Sequence, residues 1–220
     1  MLHFLRSSVG KKFIMGLSGL GLSGFVFAHM TGNLLVFKGA EAYNMYGHFM
    51  THNPAYPLIS WSLVLMMLVH AFLGILLTKE NHSARPSAYA VQASPAKSVT
   101  TASKTMIFSG SILLVFIITH LATFKYGNHY DVEYGGQTVR DLHRLMVEAF
   151  QNPAFVVWYV VALIVMGVHL RHGVSSIFQS LGFNHPRYTP TIKWIGIVYA
   201  IVVAAGFISQ PIYVYLVHQG

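Results

Sequence analysis

The chain has 220 residues, 54% of them hydrophobic and only 9% charged, with no cysteine and a mean hydropathy of +0.54, whereas an ordinary soluble domain carries roughly 25% charged residues. This is the composition of a membrane protein with a single domain over 1–220, and without cysteine it can hold no disulfide scaffold, Cys-ligated zinc, iron–sulfur cluster or cysteine nucleophile. The net charge of +8 does not point to nucleic acid, because the 14 Lys and Arg lie between long apolar runs instead of forming a basic face on a soluble module.

Five apolar stretches, near 13–37, 57–78, 105–124, 154–177 and 192–217, reach the about 20 helical residues needed to cross a hydrocarbon core of ~30 Å. The fold class expected is all-α, an integral membrane five-helix bundle. Span one follows Lys11 and Lys12, but it exceeds the ~7–15 residues of a signal-peptide core and lacks an A-x-A cleavage pattern, so it reads as a retained helix. Residues 79–104 are rich in Ser, Pro and Ala and read as a flexible, basic loop. Between spans three and four, D-L-H-R-L-M-V-E-A-F at 141–150 has the apolar spacing of a short amphipathic helix. Span five has no ionisable residue deep inside and reads as a packing helix, while Trp61, Trp194, Tyr213 and Tyr215 suit interfacial aromatic belts.

With the N-terminus in the cytoplasm, the inner segments hold Arg6, Lys11, Lys12, Lys79, Arg85, Lys97, Lys104, Arg171, Arg187 and Lys193, and the outer ones only Lys38, Lys125, Arg140 and Arg144. That split obeys the positive-inside rule and puts Gly220 outside a cell (inner) membrane.

Thirteen histidines accompany six acidic residues, and histidine is the usual protein ligand of a haem iron. His29, His70, His120 and His169 lie well within spans one to four, one per helix. Ionisable groups at such depth are expensive and usually functional. At about 1.5 Å rise per residue, His29 and His120 lie roughly 24 and 23 Å from the inner ends of their helices, and His70 and His169 each roughly 12 Å. Two pairs at two levels, about 11 Å apart by the same arithmetic, suit two stacked b-type haems in a four-helix core, inner on His70/His169 and outer on His29/His120. A metal site made by all four is disfavoured, because that separation exceeds a coordination sphere of about 2 Å radius. Gly74 and Gly173 each follow a histidine by four and share its helix face, leaving room for a porphyrin or for close helix packing. No reliable internal repeat is evident, although spans one and three both carry a His near the outer end.

The runs S-S-V-G-K-K (7–12), G-L-S-G-L-G-L (16–22) and H-M-T-G-N-L-L (29–35), with A-E-A-Y-N-M-Y-G (40–47), V-H-A-F-L-G (69–74), I-T-H-L (118–121) and F-Q-N-P (150–153), resemble the cytochrome b subunit of succinate:quinone oxidoreductases and fumarate reductases, of the single-subunit, two-haem type. The resemblance covers essentially the whole chain and is most specific in the N-terminal third. It implies His29, His70, His120 and His169 as axial ligands, a cytoplasmic iron–sulfur subunit, and beyond that a flavoprotein with FAD and the dicarboxylate site. It implies quinone exchange near the outer surface, with menaquinone as the quinone. Some fumarate reductases of this family carry a membrane-embedded carboxylate near the fourth ligand. Here Gly167 and Val168 precede His169 and none of the five spans contains Asp or Glu, which favours succinate oxidation.

Ser18, Arg171 and His172 are candidate contacts for the inner haem propionates, Lys38, Arg140 and Arg144 for the outer ones. Glu41, His48, His52, His143 and Glu148 are candidate proton donors for quinone. A di-haem cytochrome serving another respiratory enzyme and a haem-free transporter are the competing readings.

Overall fold

A computed structural model describes residues 3–4, 7–83 and 101–218, with the backbone alone for 101–104. Arg6, Arg85, Lys97, Gly220 and the stretch 84–100 of the expected loop lie outside the described residues, as does the side chain of Lys104. Among the described residues there are seven α helices and one hairpin: α1 (Ser8–Asn33), a 3-10 stretch (Leu34–Lys38), α2 (Ala40–His52), α3 (Tyr56–Ser83), α4 (Thr101–His120), a π turn (Leu121–Lys125), β1 (Asp131–Tyr134), β2 (Gln137–Arg140), α5 (Leu142–Phe150), α6 (Pro153–Ser180) and α7 (Thr189–Val217). Five helices, α1, α3, α4, α6 and α7, are long and apolar enough to cross a membrane.

Local chemistry sets the helix ends. Ser7 Oγ accepts from Gly10 N–H at 3.1 Å to start α1, and Asn152 accepts from Ala154 N–H at 3.0 Å before Pro153, whose fixed φ suits a first helical position. Gly39, at φ 104°, turns the chain sharply from the 3-10 stretch into α2, a backbone conformation that a residue with a Cβ resists. The β hairpin was not anticipated. Its two-residue turn, Gly135-Gly136, has φ 58° and 80°, the positive pair that closes antiparallel strands, with Tyr134 opposite Gln137 and Asp131 opposite Arg140.

The spans differ from expectation chiefly at their ends. Helix α3 runs on to Ser83, so Lys79 and Glu80 are helical rather than in the loop. Glu80 pairs there with Lys11 of α1, which neutralises both charges where the two helices meet. Span three ends in the π turn directly after His120. Tyr213 and Tyr215 are partly buried against the core cluster built on Val36, Met146, Phe150, Tyr159 and Val214, whereas Trp61 and Trp194 are 73% and 67% exposed.

Helices α6 and α7 lie together through small residues: a Cβ on Gly167 would stand 3.0 Å from Ala204 Cβ, and one on Gly196 3.4 Å from the Arg171 carbonyl oxygen. Such residues let helix backbones approach where lipid removes the hydrophobic drive for association. Helix α1 meets α6 at Gly16 and Ser180 in the same way. By contrast, α3 buries only Leu73 and Leu77, and Leu58, Leu65, Phe72, Phe108 and Ile118 of α3 and α4 are all more than half exposed. An apolar girdle of this kind needs lipid around it. Helix α2, the hairpin and α5 cover one end of the bundle, the capped end. The other, where Lys11, Lys12, Lys79 and Lys193 gather, is the basic end.

Candidate functional site: two histidine pairs inside the helix bundle

His29 (α1), His70 (α3), His120 (α4) and His169 (α6) are all half-buried. The structure brings His29 and His120 to a ring separation of 5.9 Å with their planes at 87°. Two imidazoles bound to opposite sides of one iron have ring centres about 6 Å apart, from metal–nitrogen bonds of ~2 Å and ~1 Å from nitrogen to ring centre. An edge-to-face ring pair without metal meets the same separation, so the hydrogen bonds carry more information. His70 and His169 lie at a different level, His70 against Ser18-Gly19 of α1 and His169 against Ser109-Gly110 of α4. Among the described residues no three His, Asp or Glu converge on one metal position.

The basic-end pair is held by serine. Ser18 Oγ of α1 lies 3.2 Å from His70 Nδ1, and Ser109 Oγ of α4 lies 2.9 Å from His169 Nδ1. Sequence reasoning placed Ser18 at a propionate and missed Ser109. At the capped end, His120 Nδ1 meets the Tyr159 hydroxyl at 3.2 Å. The Asn33 amide nitrogen lies 3.3 Å from His29 Nδ1 and 3.4 Å from Nε2, and donates to the His29 carbonyl at 2.8 Å. Tyr43 in turn donates to Asn33 Oδ1 at 2.8 Å. No protein group hydrogen-bonds Nε2 of His70, His120 or His169 among the described residues.

These contacts expose a local repeat that the sequence does carry. Ser18-Gly19 precedes His29, and Ser109-Gly110 precedes His120, by the same 11 positions from serine to histidine. Because each serine touches a histidine of the other pair, that interval measures the separation of levels: about 16 Å along the helix axis, more than the about 11 Å expected from span ends. Hydropathy boundaries are a poor common origin for that measurement, since the spanning helices run from 20 to 29 residues.

The glycines divide into two kinds. Gly16, Gly167, Gly196 and Gly206 face neighbouring helices closely. Gly173 has nothing within 4 Å of a Cβ position, and Gly74 only the flexible tip of Met15 at 3.7 Å. The two glycines that follow His169 and His70 thus border open space.

The other candidates scatter. Arg171 is exposed, and His172 Nε2 meets Ser176 Oγ of its own helix at 3.0 Å. Lys38 is exposed, Arg140 is committed to the carbonyls of Asn128 and Lys125, and Arg144 pairs with Glu148 at 2.9 Å. Hydrogen bonds from Tyr130 and then Arg144 hold the Glu148 carboxyl below the ordinary range. Glu148 also lines, with Thr123, Asn128 and Leu145, a cleft of about 310 Å³ at the capped end. Glu41 is exposed on the first turn of α2. His48 meets Gln137 at 2.8 Å and stacks on His52 at 3.7 Å, facing outward. His143 sits between Tyr43 and His218, with ring separations of 6.4 and 5.4 Å; burial first, then the His218 charge, push its pKa down. The three leading quinone-side candidates, Glu41, His48 and His143, do not form one cluster, and only His143 continues inward, through Tyr43 and Asn33 to His29.

Comparison with family models, curated proteins and solved structures finds no match.

Proposed function

We propose that the chain is the di-haem cytochrome b membrane-anchor subunit of a succinate dehydrogenase, a succinate:quinone oxidoreductase, passing electrons between an iron–sulfur subunit and menaquinone or another membrane quinone. The observation that carries this reading is the set of four histidines in apolar helices, paired at two levels, three of them with Nδ1 engaged by a hydroxyl and Nε2 left without a protein partner. A metal-ligating histidine characteristically uses its second nitrogen for such an outer contact. Two b-type haems, one per pair, would supply one-electron acceptance and release at two depths.

The chain's own residues then have defined tasks. His70 and His169 would hold one haem and His29 and His120 the other; Ser18, Ser109 and Tyr159 orient three of the rings, and Asn33 packs beside the fourth; Gly74 and Gly173 leave space beside two of them. The basic end, facing the cytoplasm, docks the iron–sulfur subunit, to which the FAD-containing flavoprotein attaches. Quinone exchanges at the capped end, where Glu148 and Thr123 border a cleft three residues from His120, and where His143 can take or give a proton. Glu80, the one acid on a spanning helix, is tied to Lys11 at the helix end, so no carboxylate sits deep in the bundle, which supports succinate oxidation over fumarate reduction.

The test is the haem content of the purified membrane complex with a reduced-minus-oxidised spectrum before and after succinate. Two b haems per chain, reduced by succinate, is the expected result. Two haems indifferent to succinate move the subunit to another respiratory enzyme, the alternative reading, and a chain without haem overturns the redox role in favour of a transporter.

A further inference from the structure

Ser18 and Ser109 make the same three-atom arrangement on two different helices. Ser18 Oγ lies 3.0 Å from the Met15 carbonyl oxygen and 3.2 Å from His70 Nδ1. Ser109 Oγ lies 3.1 Å from the Met106 carbonyl oxygen and 2.9 Å from His169 Nδ1. A serine hydroxyl has one hydrogen, and a carbonyl can only accept. The hydroxyl hydrogen therefore goes to the backbone, three residues back, and the serine oxygen meets the imidazole as an acceptor. Nδ1 must carry the ring proton, and a neutral imidazole protonated there keeps its lone pair on Nε2. Both serines are at least 91% buried, with relative exposures of 6% and 9%, so water does not compete for these bonds.

The neighbouring glycines complete the arrangement. A Cβ on Gly19 would stand 3.3 Å from His70 Cε1 and one on Gly110 3.6 Å from His169 Cε1, so each ring rests against the helix beside its serine. The capped-end pair lacks this device. The Asn33 amide nitrogen stands 3.3 Å from His29 Nδ1 and 3.4 Å from His29 Nε2, a near-equal approach that selects neither tautomer, and His120 meets a phenol whose hydrogen no backbone carbonyl claims among the described residues.

We propose that Ser18 and Ser109 are positioning residues for one and the same centre: they fix His70 and His169 as Nδ1–H donors with Nε2 free to ligate, and they hold the reduction potential of the group bound there below its value without them. The inference rests on the haem reading above. Its physical basis is that donation from Nδ1–H makes the ring a stronger electron donor at Nε2, which stabilises the electron-poor oxidised iron.

The experiment is an optical redox titration of the complex carrying Ser18→Ala, Ser109→Ala, both together, and Ser18→Thr or Ser109→Thr as hydroxyl-retaining variants. Each alanine variant is expected to shift the same one of the two haem components to higher potential, the double variant further, with threonine returning it and the second component unmoved. Loss of that same component in the alanine variants, with recovery in the threonine variants, would support the inference equally. Shifts in different components, or no shift with both haems retained, overturn it while leaving the haem reading intact. A wild-type complex with no haem overturns both.

Discussion

A histidine in the middle of a hydrocarbon-spanning helix has few inexpensive fates, and here each of the four meets a polar side chain of its own or a neighbouring helix. That they pair by level gives a sharp expectation for substitutions. His29→Ala and His120→Ala should each abolish one and the same spectral component, and His70→Ala and His169→Ala the other, with helix content unchanged by circular dichroism. If His29→Ala and His70→Ala instead abolish the same component, the pairing is wrong. The four histidines were legible because they interrupt long apolar runs. Ser109, Asn33 and Tyr159 were not, because hydroxyl and amide side chains are ordinary in membrane helices and only proximity to a ring distinguishes them.

At the level of elements, a fully buried amide joins the three parts of the cap over one end of the bundle. Asn44 of α2 is fully buried; its Nδ2 donates to Asp141 Oδ1 at 2.8 Å and to the Tyr134 hydroxyl at 3.3 Å, and its Oδ1 accepts from His143 N–H at 2.8 Å. It thereby ties α2 to the hairpin and to the first turn of α5, where Asp141 also accepts from Arg144 N–H at 2.9 Å. Asn44→Ala would strand these groups at a cost of about 2 kcal/mol. The measurement is hydrogen exchange over 131–150, which should accelerate there while α6 and α7 keep their protection; uniform loss of protection would mean the cap and bundle unfold together. The amphipathic helix at 141–150 was readable from apolar spacing and its Asp start. The hairpin had a signal too, Gly135-Gly136 between short β-prone runs, but α2 did not, since its mixed surface has no strong apolar stripe.

For the whole molecule, the distribution of basic residues fixes an expected orientation that the bundle geometry alone leaves open. The chain has no cysteine, so single substitutions report sidedness cleanly. Asn184, exposed in the α6–α7 connection, and Thr138, exposed on the hairpin, lie at opposite ends of the bundle. In intact cells Thr138→Cys should react with a membrane-impermeant thiol reagent and Asn184→Cys should react only after lysis. The reverse pattern would place the basic end outside and remove the cytoplasmic docking of an iron–sulfur subunit.

Five spans, their approximate limits and the four histidines within them followed from the sequence by itself, because hydrocarbon demands about 20 unbroken apolar residues per crossing and makes any ionisable residue inside conspicuous. The distance between histidine levels, the serine that holds each basic-end ring, and the sorting of glycines into packing contacts and open space were decided only by the tertiary structure. Those properties belong to pairs of helices: they depend on the level at which two helices meet and which face each turns to its neighbour, and hydropathy along one chain segment contains neither.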